Sequence, residues 1–66
     1  MSKDVIRDLK YLSVSACSST DLIRALFSHD AETIYLNMPR LKANIDTAIE
    51  CLNEMKTILD EISIND

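Results

Sequence analysis

Residues 34–62 read IYLNMPRLKANIDTAIECLNEMKTILDEI, and within them Ile34, Met38, Leu41, Ile45, Ala48, Leu52, Met55, Leu59 and Ile62 recur at alternating spacings of four and three. A repeat averaging about 3.5 residues keeps one apolar stripe of an α-helix against a neighbour along its whole length. Between these positions lie Lys42, Asp46, Glu50, Asn53, Glu54, Thr57, Asp60 and Glu61, which make a solvated face. The spacing predicts a helix from about Pro39 to Ser63. Proline has no amide hydrogen and clashes with the preceding turn inside a helix, but it is favoured in the first turn, so the start falls near Asn37 or Met38. The preceding Thr33-Ile34-Tyr35-Leu36 is β-branched and aromatic and reads as a short separate turn of helix or an extended link. The rival reading is one kinked helix entered from Asp30 as N-cap, with Glu32 in its first turn and Thr33 at the capping-box position.

Working back toward the N-terminus, a weaker seam of the same spacing runs through Val5, Leu9, Leu12, Ala16, Ser19, Ile23 and Leu26. Two such seams can zip together. The run from Ser13 to Thr20 is rich in hydroxyls that compete for backbone groups, so the expectation is a break there, giving helices near Lys3 to Ala16 and Thr20 to Ser28. Ser28-His29-Asp30 is the turn into the second half. The chain has no glycine and one proline, which disfavours strands, hairpins and glycine-rich phosphate loops. The fold expected is therefore all-α, a single coiled-coil-like helical hairpin over residues 1–66, with the first arm broken into two helices and a long C-terminal helix. The cysteines gauge its register. A tight turn at His29 staggers Cys17 and Cys51 by roughly 15 Å, whereas a loop from Asp30 to Met38 brings them near one level.

The whole chain has 66 residues with 7 Lys and Arg against 11 Asp and Glu, a net charge of −4. That length excludes a second domain and a fold that encloses its own catalytic pocket. The lysines are spread among acids, so the concentrated cationic footprint that nucleic acid needs is missing, and a ribbon-helix-helix DNA binder with Thr33 to Leu36 as its ribbon is disfavoured too. No apolar run reaches the ~18 residues of a membrane span, and Met1-Ser2-Lys3-Asp4 opens no signal peptide, so a cytoplasmic protein without disulfides is expected. For catalysis, the one constellation to weigh is Cys17 or Cys51 with His29, and a histidine at a helix turn is ordinarily a polar tip. No CxxC, HxxxH or dense carboxylate loop offers a metal site, and Asp46, Glu50 and Glu54 make a solvated acidic face. Neither enzyme activity nor a cofactor is expected.

Several apolar residues fall off both seams: Ile6, Tyr11, Val14, Leu22 and Phe27 in the first half, Tyr35 and Leu36 in the link, and Ile49 and Ile58 beside the long seam. A two-helix hairpin has one internal face and cannot hide them all, and surplus apolar surface on a small protein marks an interface. Ile6, Tyr11, Phe27, Tyr35, Leu36, Ile49 and Ile58 are the residues expected to meet a protein partner, either another protein or a second copy.

Asp30-Ala31 through Tyr35, Arg40 to Ala43, and Ala48-Ile49 ahead of an aliphatic C-terminal helix resemble the small E-type co-chaperones of type III secretion needle subunits. The resemblance covers roughly Asp30 to Leu59 and extends to length and hairpin plan; it departs at Ser28-His29, where family members often carry glycines, and at Pro39. It implies a bacterial cytoplasmic protein that pairs with a second, helical-repeat chaperone and keeps an aggregation-prone needle subunit soluble before export. The alternative is a small homodimeric regulator of phage or mobile-element type that antagonises a larger protein. That protein would form a symmetric four-helix bundle in which Ile49 and Ile58 meet their mates.

Overall fold

The computed structural model describes the backbone of residues 2–65 and the side chains of residues 2–62. Three helices follow in order, α1 (Lys3–Phe27), α2 (Ala31–Leu36) and α3 (Met38–Asn65), and α1 packs along α3 to make the hairpin.

The first arm is not broken. Ser2 caps it, its side chain accepting the Val5 amide at 3.2 Å with Asp4 in the first turn, where a carboxylate suits the helix dipole. From there the helix runs unbroken through the hydroxyl-rich stretch to Phe27. The expected break fails because the hydroxyls are absorbed into the helix. Ser13 donates to the Lys10 carbonyl at 2.8 Å and Thr20 to the Cys17 carbonyl at 2.9 Å, while Ser19 is buried against the opposing arm.

The break lies between α2 and α3 instead. Asp30 caps α2, its Oδ1 accepting the Thr33 amide at 2.9 Å. Bonding to Thr33, with a smaller contribution from the neighbouring His29, holds the Asp30 carboxyl below its ordinary pKa. Asn37 then leaves helical geometry at φ −105° and ψ 14°, and its Nδ2 donates back to the Thr33 carbonyl at 2.8 Å. Its own carbonyl accepts the Leu41 amide at 2.9 Å and so opens α3. Pro39 occupies the first turn of α3, where its missing hydrogen costs nothing. The link is thus a separate turn of helix, as one of the two readings had it, and Asp30 is its cap, as the other had it.

The molecule measures 50 × 17 × 12 Å, with a radius of gyration of 15.3 Å against about 11 Å for a compact domain of this length. It is two helices wide and one helix thick. Its 5197 Å² of surface means that folding hides about half of what the extended chain exposes, below the roughly 60% expected for a domain of this size. Among the described residues the buried side chains are correspondingly few and, apart from Leu41, small: Ala16 and Ser19 on α1, Leu41 and Ala48 on α3. Small residues such as Ala16, Ser19 and Ala48 bury little apolar area each.

Register follows from which residues border each other across the arms. Asp8, Tyr11 and Leu12 line one groove with Glu54 and Ile58, so Leu12 stands near the height of Glu54. Continuing along both arms brings Cys17 and Cys51 to within about 3 Å of one height. This is the register expected of a loop connector, although the connector is helical. The thiols nonetheless remain free: Cys17 is exposed, its Sγ 3.9 Å from Asp21 Oδ2, while Cys51 is half-buried on the inner side of α3.

Candidate interaction surface

Both arms carry the same 3–4 spacing, yet they use it differently. On α1 every seam residue from Val5 to Leu26 is buried or half-buried. On α3 only alternate members do so: Leu41, Ala48, Met55 and Ile62 turn inward, whereas Met38, Ile45, Leu52 and Leu59 stay exposed. Asn37, Asn44, Cys51 and Ile58 are half-buried in their stead. The helix is rolled about its axis relative to the expected seam, so this half of the sequence reading is corrected.

The roll has two consequences. Ile58, expected to face a partner, instead lines the groove between the arms with Tyr11, Leu12, Asp8 and Glu54, a space of about 390 Å³. On the other flank, Met38, Ile45, Leu52 and Leu59 follow one another at seven-residue steps and Ile49 lies within about 80° of them, forming an exposed apolar stripe along α3. Leu52 is 53% exposed and Ile49 50%. The stripe borders the same seam as the Tyr11 groove but on its opposite side, and Ile6 of α1, about 140° around its helix from Tyr11, falls on the stripe's side.

The remaining expected contact residues are exposed and lie apart. Tyr11 is 74% exposed beside the groove, Phe27 ends α1, and Tyr35 and Leu36 ride on α2 at 75% and 71%. Phe27, Tyr35 and Leu36 therefore share the turn end of the rod. Near the other end, Lys3, Arg7 and Lys10 surround Ile6, with Arg7 engaged by Asp4 at 3.6 Å and Asp8 at 3.9 Å. These exposed pairs contribute little to stability. Sequence reasoning missed Met38, Ile45, Leu52 and Leu59 as surface residues because it spent them on the seam. The signal was present in Ile49, whose bulk next to Ile45 and Leu52 widens the apolar face beyond what one partner helix can cover.

The site's chemistry is that of a surface. Among the described residues no three His, Cys, Asp or Glu side chains cluster as metal ligands, and no helix is long and apolar enough to cross a membrane. Compared with protein-family models, with curated proteins and with solved structures, the chain matches none.

Proposed function

We propose that this chain is a non-enzymatic helical binding module that acts as a co-chaperone: together with a second, helical-repeat chaperone it keeps an aggregation-prone secretion needle subunit soluble before export from the bacterial cytoplasm. The observation that carries the binding role is a rod one helix thick with an apolar stripe of five large side chains left exposed along its longer arm. Such a face lays into a groove or against another amphipathic helix, and binding energy then adds to a marginal folding energy. The choice of partner draws on the resemblance of residues 30–59 to the needle co-chaperones. The exposed Tyr35 and Leu36 of α2 and Ile49 of α3 lie within that segment and supply contacts beyond the hairpin itself.

The test is co-expression with a needle subunit and a helical-repeat chaperone from the same genome, followed by size-exclusion chromatography. The three proteins should elute together with the needle subunit soluble. A needle subunit that polymerises as readily with the chain as without it would rule the co-chaperone role out.

A further inference from the structure

We infer that a second copy of this chain covers the exposed stripe of α3, the two helices running antiparallel about a two-fold axis at Leu52. The pairing describes the chain before it meets any other protein and is tested on the chain alone, so its fate is separate from that of the co-chaperone role.

The stripe is self-complementary. Ile45 and Leu59 stand seven residues to either side of Leu52, so an axis at Leu52 sets Leu52 against its own mate and Ile45 against Leu59 of the second copy. Ile49 fills the space between these layers. Antiparallel pairing also brings like flanks of the two helices together, because reversing a helix keeps its outer edge on the same side of the interface.

That outer edge carries Lys42, Asp46, Lys56 and Asp60, all exposed. Among the described residues none of the four forms an ion pair within its own chain, although Lys42 and Asp46, and Lys56 and Asp60, are four apart. With the axis at Leu52, Lys56 comes within two residues, about 3 Å in height, of Asp46 on the second copy, and Lys42 comes equally close to Asp60. Two-fold symmetry repeats both pairs. A parallel two-fold pairing would instead put the two outer edges on opposite sides of the interface and bring none of these pairs together.

The area fits as well. A compact monomer of 7.5 kDa exposes about 4,250 Å², so this chain shows about 950 Å² more than its mass requires. Each partner in an interface of standard size hides about 800 Å². One further copy takes up the surplus and turns a rod one helix thick into a four-helix bundle with two layers.

Sedimentation equilibrium of the intact chain across a concentration series tests the pairing, with far-UV circular dichroism alongside. The expected mass is twice 7.5 kDa. Leu52→Glu should halve that mass, while Tyr11→Glu on the opposite side of the rod should leave it unchanged. Because Leu52→Glu could act through misfolding, a cysteine cross-link supplies the second readout. In a Cys17→Ser, Cys51→Ser background, Leu52→Cys should oxidise rapidly to a covalent dimer, and Ile45→Cys alone should not. A chain that stays at 7.5 kDa, a dimer indifferent to Leu52→Glu, or faster cross-linking through Ile45→Cys than through Leu52→Cys would each overturn the inference.

Discussion

The two long arms make an instructive pair, since each carries apolar residues at the same alternating spacing and only one of them buries the whole set. On α1 the whole seam turns inward, and the off-seam apolar residues Ile6, Tyr11, Val14, Leu22 and Phe27 are left exposed singly around the rest of the helix. On α3 Ile45, Ile49, Leu52, Ile58 and Leu59 spread the apolar surface over more of the circumference than one neighbour can reach. The arm then has to choose, and it turns Leu41, Ala48, Met55 and Ile62 inward with Cys51 and Ile58 beside them. A broad apolar face on one helix of a two-helix unit signals that a further helix is wanted.

The contrast can be broken most severely at its most buried large residue. Leu41→Ala should cost about 2–5 kcal/mol, a large share of the roughly 3–10 kcal/mol that a domain of this length holds, and circular dichroism should show a lost or much lowered thermal transition. Next comes the continuity of α1. Ser18→Pro places a ring in the middle of the unbroken helix and should cost about 3 kcal/mol; a variant as stable as the parent in urea would restore the broken arm that the hydroxyl run suggested.

A smaller effect sharpens the roll of α3. Asn44 lies on the inner side and is half-buried, so Asn44→Leu should raise stability by about 1 kcal/mol by adding apolar area between the arms. If the seam ran through Ile45 and Leu52 instead, Asn44→Leu would add only exposed surface and the melting temperature would not rise. The smallest effect is at the connector. The Asp30 carboxyl is held below its ordinary pKa by Thr33, so the folded state prefers it ionised. Its cap on α2 is therefore fully present above the ordinary carboxylate pKa and is lost as pH falls through the lower folded value. The protection of the Thr33 amide against exchange, taken relative to the intrinsic rate at each pH, should fall in acid and in Asp30→Ala, with the long arms unaffected.

How far the sequence could be read depends on the length scale of each question. Asp30 and Pro39 act within a turn or two of themselves, so that cap and the start of α3 were legible from neighbours alone, whereas the Ser2 cap came from the structure. The fate of Ser13 and Thr20 was harder, because a hydroxyl can cap a helix or bond back into it, and packing of Ala16 and Ser19 against the other arm tips the balance. Among the expected contact residues, Ile6, Tyr11, Phe27, Tyr35, Leu36 and Ile49 are exposed, while Ile58 is drawn inward.

Two long antiparallel helices, a cap at Asp30 and a surplus of apolar side chains were determined by the sequence itself, since periodicity and turn chemistry are written residue by residue. Which side of α3 faces α1, and hence which residues remain outside, was decided only by the tertiary structure. A helix with apolar residues over a wide arc can roll about its axis at little local cost, and the angle it adopts is the one that buries Ala16 and Ser19 of α1 together with Leu41 and Ala48 of α3.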